Sequence, residues 1–173
     1  MKSDKFNIFQ DWSANSGNSK GRIILILFRL AHIGSINRFL FCLLIPYLIF
    51  YRVVIEWTLG CEIPYKTVIG PNLTLYHGQS TVINDSSIIG YGCTIRHCTT
   101  IGNKKNATGY SLSPTIGNNV DIGSNTCIIG PILIGDFVVI GSGSIVVKSL
   151  PSNVTVAGNP ARILKQHEST FNS

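Results

Sequence analysis

The chain has no CxxC pair among its five cysteines, only 8 acidic residues against 14 basic ones, and no apolar run of bilayer length. Each shortage removes a class of protein. Cys42, Cys61, Cys93, Cys98 and Cys127 show neither zinc-ligand spacing nor a secreted disulfide framework, and three of them fall inside a repeat that wants a small apolar residue. Free thiols in a reducing cytoplasm are the simpler reading, with no metal site. Lys2, Asp4, Lys5, Asp11 and Trp12 precede any apolar stretch, so the start does not read as a signal peptide. The net charge of +6 does not point to nucleic acid, because the basic residues lie among aliphatics without a stacking aromatic stripe or a nucleic-acid motif. A hydrophobic content of 45% excludes a disordered chain, and 173 residues make one domain with a modest appendage.

What the chain does have is a period of six. Ile116, Ile122, Ile128, Ile134 and Ile140 recur at every sixth place, most of them followed by glycine, and Val120, Thr126, Ile132, Val138 and Ser144 follow four places after each anchor. Upstream, Ile63, Ile69, Leu75, Ile83, Ile89, Ile95 and Ile101 continue the frame, with Ser87, Cys93 and Thr99 in the small-residue slot. Hexapeptide repetition is the signature of a parallel β-helix, and the 17 glycines suit its corners. Two steps break the frame: eight residues separate Leu75 from Ile83, and fifteen separate Ile101 from Ile116. Extra residues must leave the wall, since otherwise every later side chain would shift off its face. Residues 103–115, with Lys104, Lys105, Gly109 and Pro114, are therefore expected to form an excursion, and insertions of this kind gather on binding faces.

The domain plan is a helical segment over 1–59, a β-helix over 60–165 and a flexible tail over 166–173. Residues 23–30 and 36–59 read as helices from their apolar length, with a break at Gly34-Ser35 and a kink or cap at Pro46. The run 39–51, bounded by Arg38 and Arg52, is the most hydrophobic part of the chain. Its length falls short of the roughly 20 residues that cross a bilayer, which excludes a span. Packing against a neighbouring helix or subunit, or shallow contact with a membrane surface, are the readings left.

Two histidines carry the candidate chemistry. His77 follows Leu75 by two places, just before the first insertion, and His97 holds the matching place after Ile95. Twenty residues equal one coil of three hexapeptides plus the insertion, so the two imidazoles should stack on one corner. An imidazole beside an acceptor hydroxyl is a natural general base. Glu62 is the carboxylate best placed to orient it. Asp85, Asp121 and Asp136 read as makers of local turn hydrogen bonds, and His32 and His167 as bystanders.

The six-residue period, the excursion and the closing Val156-Ala-Gly-Asn-Pro-Ala-Arg162 resemble the hexapeptide acyltransferases, and specifically the serine acetyltransferase branch. The resemblance runs from about Phe28, in Phe-Arg-Leu-Ala-His, to about Leu164. It implies a left-handed parallel β-helix that forms a homotrimer, with active sites between subunits and acetyl-CoA in the outer groove between coils. It puts the catalytic histidine on His77 and its partnering carboxylate on Glu62, where the branch has aspartate. It further implies cofactor contacts from Gly123, Gly141, Ser142, Gly158, Asn159, Pro160 and Arg162, with Lys148 or Lys165 near the phosphates.

The departures bear on the acceptor. Tyr76 stands where the branch has an aspartate before the histidine, Leu112-Ser113 stand in place of an Arg-His pair, and the long helical domain is largely missing. Those groups are expected to hold the charged ends of free serine. Acetyl-transfer machinery without an amino-acid pocket, behind the opening Phe9-Gln-Asp-Trp-Ser-Ala-Asn, resembles the O-acetyltransferases of capsule, exopolysaccharide and O-antigen biosynthesis, such as the colanic acid type. Tyr76, Arg96, His97, Asn103, Lys104 and Ser113 are then the candidates for contacts with a saccharide acceptor. A serine acetyltransferase of cysteine biosynthesis, and a non-catalytic scaffold or metal-binding β-helix, are the rival expectations.

Overall fold

Two inward side chains per short strand can fill only a narrow prism, and the chain builds one. The computed structural model describes residues 6–105, 109 and 111–168. Three sheets run along the prism. The first holds Cys61–Glu62, Thr81–Ile83, Thr100–Gly102, Cys127–Ile129 and Ile145–Val146; the second holds Val68–Ile69, Ile88–Ile89, Thr115–Ile116 and Leu133–Ile134. The third holds Thr74–Tyr76, Thr94–Arg96, Asp121–Ile122, Val139–Ile140 and Val154–Gly158, with Ala161–Gln166 antiparallel at its end. All other pairings between these strands are parallel, and identical slots stack coil on coil: Leu75, Ile95, Ile122, Ile140 and Val156 form one column.

The expected wall is borne out. Every anchor from Ile63 to Ile140 is buried, as are the small-slot residues Ser87, Cys93, Thr99, Val120, Thr126, Ile132, Val138 and Ser144. Threonine and serine are tolerated because the hydroxyl reaches a carbonyl inside the coil, as Thr126 Oγ1 does at 2.7 Å from Gly123 O. The cysteines follow the pattern only in part. Cys93 fills a wall slot, but Cys98 and Cys127 are partly exposed, at a corner and on an outer strand position. Glycine at corners has a packing reason: a Cβ on Gly90 would lie 2.5 Å from Gly117 O of the next coil.

The first coil has no predecessor, so its backbone needs other partners. Four side chains from the amino-terminal segment supply them. Asn15 Oδ1 accepts from Leu75 N at 3.0 Å and its Nδ2 donates to Leu73 O at 2.7 Å, while Asn18 Nδ2 donates to Leu75 O at 2.8 Å. Asp11 Oδ1 accepts from Leu73 N at 2.8 Å. Asp11 also pairs with Arg29, which donates to Ile69 O and Gly70 O, each at 2.7 Å. These groups turn an open strand edge into a satisfied one.

Helix α1 (Ser19–Ile33) carries Arg29, starts at the Asn18 cap and ends at Gly34. Helix α2 (Arg38–Tyr51) is capped by Asn37, runs through Pro46 and passes into a π-helical turn, Arg52–Thr58. Of the kink or cap expected at Pro46, the cap is not formed, since the helix continues through it. The length argument against a span also fails, because the continuous helix Arg38–Thr58 is 21 residues, long and apolar enough by length and composition to cross a membrane. The charges that interrupt the run, Arg52 and Glu56, pair with each other at 3.2 Å one turn apart.

At the other end, the closing strand reaches Gln166, and His167 is held by Asn153 O and Thr155 Oγ1, each at 2.7 Å. His167 is thus docked and not part of a free tail; residues 169–173 of the expected tail lie outside the described residues.

Candidate active site

The two-residue insertion does its work at the corner between the third and first sheets. His77 and Gly78 both adopt left-handed backbone, φ 68° and 72°, which turns the chain sharply and leaves His77 exposed. The register Tyr76 to Arg96 continues to His77 and His97, whose ring centroids lie 5.6 Å apart at 78°. The expected meeting of the two imidazoles on one corner is what the fold produces, with the rings edge to face. His97 is half-buried, and its Nδ1 is a buried atom without a hydrogen-bond partner among the described residues.

The same register carries the corner further. Ser124 follows Ile122 by two places and Ser142 follows Ile140 by two, and their hydroxyls lie 3.3 Å apart. His77, His97, Ser124 and Ser142 therefore form one polar column down the prism edge. Sequence reasoning singled out Ser142 but missed Ser124, although their separation of three hexapeptides was countable.

Beside this column, the outer face of the third sheet presents Tyr76, Arg96 and Asp121. Arg96 lies 5.7 Å from the Tyr76 ring centroid, pairs with Asp121 and donates to Ile122 O at 3.1 Å. Asp121 is thus a cross-coil partner and not a turn former. Asp136 is another such case, accepting from Asn118 N at 2.6 Å one coil away, while Asp85 does stay local, accepting from Ser86 Oγ at 3.1 Å.

Glu62 ends the first strand of the first sheet, opposite Val82, and is exposed. Among the described residues no hydrogen bond joins it to His77. Below Gly78, by contrast, the Cys61 thiol is close: a Cβ on Gly78 would meet its Sγ at 3.3 Å. Burial pushes the Cys61 thiol up to about 12, so it stays a neutral thiol and offers no competing nucleophile.

The excursion leaves from a different corner. It forms a hairpin, Lys104–Lys105 against Ser111–Leu112, between the first and second sheets. Ser113 Oγ donates to Asn84 Oδ1 at 2.7 Å, and Lys104 packs near Gly130. Lys148, after Ile145–Val146, lies at this same corner. Asn103, Lys104, Ser113 and Lys148 are consequently separated from His77 by the width of the first sheet.

Of the other cofactor candidates, Ser142, Gly158, Asn159, Pro160, Arg162 and Lys165 are exposed on the last coils. Gly123 and Gly141 have a structural role: a Cβ would come within 2.5 Å of Ser142 N and 2.9 Å of the Ala157 side chain, respectively. No group of three His, Cys, Asp or Glu side chains among the described residues could hold a metal. Two cavities flank α2, of about 430 and 660 Å³, and neither touches His77.

Comparison with known proteins bears on the chemistry. The chain is 36% identical over 160 residues to the putative colanic acid biosynthesis acetyltransferase WcaB of Escherichia coli, covering 90% of this chain and 98% of that one. It is 37% identical over 109 residues to serine acetyltransferase 2 of Arabidopsis thaliana, which is 63% of this chain and 33% of that protein. Its structure is similar to the serine acetyltransferase of Neisseria gonorrhoeae, with a TM-score of 0.78 and 26% identity, over 94% of this chain and 66% of that one. No family model matches the chain.

Proposed function

This chain belongs to the hexapeptide-repeat acetyltransferases and is an acetyl-CoA-dependent acyltransferase, and from that premise we propose that its acceptor is a saccharide hydroxyl, acetylated in capsule, exopolysaccharide or O-antigen biosynthesis. The reaction is a direct transfer with His77 as general base. The observation that carries this reading is the corner where His77, His97 and the Tyr76–Arg96 pair meet: an exposed imidazole beside hydrogen-bonding and stacking groups, with no carboxylate preceding the histidine to grip an amino group. Aromatic and guanidinium faces suit a neutral polyhydroxyl acceptor.

In this mechanism the acceptor hydroxyl gives its proton to the His77 imidazole as its oxygen attacks the thioester carbonyl. The developing oxyanion is stabilised by donors nearby; the C–S bond then breaks, and the imidazolium returns the proton to the departing thiolate. Glu62 stabilises the imidazolium, a role that requires it to approach His77 when acetyl-CoA and acceptor are bound. Ser142, Gly158, Asn159, Pro160, Arg162 and Lys165 line the exposed surface available to acetyl-CoA.

The working particle is a homotrimer in the cytoplasm. The separation of the hairpin residues Asn103, Lys104 and Ser113 from His77 supports this, because only another copy can bring a hairpin to that corner. Serine acetylation is the second reading, favoured by the likeness of the fold to serine acetyltransferases.

The test is CoA release by purified enzyme with L-serine, UDP-sugars, lipid-linked sugars and oligosaccharides. A saccharide should turn over and L-serine should not; turnover with serine alone would reject the acceptor class. His77→Ala should lower kcat by roughly 10²- to 10⁴-fold, the usual worth of a positioned base, while acetyl-CoA still binds. Undiminished turnover would remove His77 from the chemistry. Glu62→Gln should slow the reaction and alter its pH–rate profile.

A further inference from the structure

We propose that the helix over Arg38–Thr58 seats the protein on an anionic lipid bilayer, lying in the plane of the surface, with Arg38 and Lys66 on lipid phosphates. This inference stands apart from the identity of the acceptor. Phe39, Leu43, Phe50, Val53 and Trp57 recur at helical spacing on the side away from the protein, and three of them are exposed by 75%, 65% and 73% (Phe39, Leu43 and Trp57). The outward stripe of a helix in water is polar; here it is aliphatic and aromatic from end to end.

The opposite side of the helix fixes its orientation. Tyr51 and Ile55 are buried, Tyr47 donates its hydroxyl to Leu27 O at 2.8 Å, and Tyr51 donates to Ile63 O at 2.7 Å. The helix is therefore bound along one flank to α1 and the first coil. Lipid cannot surround it, so its length does not make it a span. A helix with one flank on protein and the other apolar lies in the interface, its exposed stripe among the acyl chains.

The chemistry beside the stripe points to lipid. The cavity of about 430 Å³ is lined mainly by apolar side chains, among them Phe41, Ile45, Ile49 and Trp57, and its charged lining residues, Arg52 and Glu56, pair with each other. It shares Phe41 and Tyr65 with the cavity of about 660 Å³, whose rim carries His32, Arg38 and Lys66. An apolar recess opening beside a cationic one matches an amphiphile with a hydrocarbon chain and a phosphate. Arg38 and Lys66 are exposed and form no ion pair among the described residues. A second copy meeting this face with its own would bring the same cations against them, each chain already carrying a net +6. An anionic bilayer supplies both the apolar cover and the counter-charge.

The experiment uses the full chain with vesicles of phosphatidylcholine alone or mixed equally with phosphatidylglycerol. Cosedimentation should be strong with the mixed vesicles and weak with the neutral ones. The chain has 2 tryptophans, so in Trp12→Phe the fluorescence of Trp57 should be quenched by brominated acyl chains. The double variant Arg38→Gln, Lys66→Gln, which leaves the apolar stripe intact, should bind mixed vesicles roughly 30-fold more weakly, as expected for two interfacial cations. Absence of the wild type from both pellets, or unquenched Trp57 in pelleted protein, would overturn the proposal. So would a Phe39→Ser, Leu43→Ser variant that halves the size of the particle in vesicle-free solution, since the stripe would then be covered by another copy.

Discussion

Replacing Asp11 by alanine should cost the protein most of what holds its first coil. The Asp11 and Arg29 side chains are 3% and 2% exposed, and they meet through two hydrogen bonds, of 2.7 and 3.1 Å. Without the carboxylate, the guanidinium keeps neutral acceptors alone, the carbonyls of Ile69 and Gly70 and the Gln10 amide oxygen, and becomes an uncompensated buried charge. Breaking a buried pair in this way costs about 3–5 kcal/mol. The Leu73 N–H, which donates to Asp11 at 2.8 Å, loses its partner as well, at about 1–3 kcal/mol for a buried donor left unsatisfied. A loss of about 4 kcal/mol or more is expected, a large share of the ~5–15 kcal/mol that holds a domain folded. Urea unfolding followed by circular dichroism measures it. Asp11→Ala combined with Arg29→Met should recover part of the loss, because the stranded charge is gone. A cost below about 1 kcal/mol, the worth of an exposed pair, would refute the clamp. The site should suffer too, since Leu73 and Leu75 lead the chain into His77.

Two further predictions concern assembly and the thiols. If one copy's hairpin completes another copy's His77 site, trimers refolded from equal amounts of His77→Ala chains and chains lacking the hairpin should regain about a quarter of wild-type activity; a mixture as inactive as its parts would confine the site to one chain. Burial raises the Cys61 thiol to about 12 and the Cys93 thiol to about 11 from an ordinary 9.0. The fold thus favours the neutral thiols: their contribution is full below about pH 9 and is lost as pH rises through 11 to 12. At neutral pH, iodoacetamide should label exposed Cys42 and spare Cys61 and Cys93 until the protein unfolds; labelling of Cys93 in folded protein would contradict its place in the wall.

The β-helix was legible because its rule is local. One isoleucine every six residues states which side chains face inward, and a gap that is not a multiple of six states where the chain leaves the wall. The meeting of His77 and His97 on one corner followed from that count alone. The end cap was not legible, because Asp11, Asn15 and Asn18 bond to residues 57 to 62 positions away, beyond any periodic pattern. Asp121 was misread for a related reason: its position within a coil was visible, but Arg96, its partner, lies 25 residues earlier and one coil over. The helix was read over 36–59, but its apolar run was ended too early at Arg52, whose charge is paired with Glu56 while the backbone continues past it as a π turn.

The arrangement of corners accounts for what a single copy lacks. The proposed direct transfer requires an acceptor and a thioester held within contact distance and shielded from water. His77 in one chain is exposed, and the cavities lie along α2 and not beside it. One prism edge therefore carries His77, the proposed base, and the next carries the hairpin, with the first sheet between them. A flat sheet cannot fold its two borders together without breaking the column of stacked isoleucines that makes it stable. The proposed trimer resolves this without deforming any coil: setting prisms side by side about a threefold axis brings the hairpin edge of one against the histidine edge of the next, and the cleft between them supplies the enclosure. The insertion of two residues before Thr81 and the excursion before Thr115 would then be parts of the same device, contributed to each cleft by different copies.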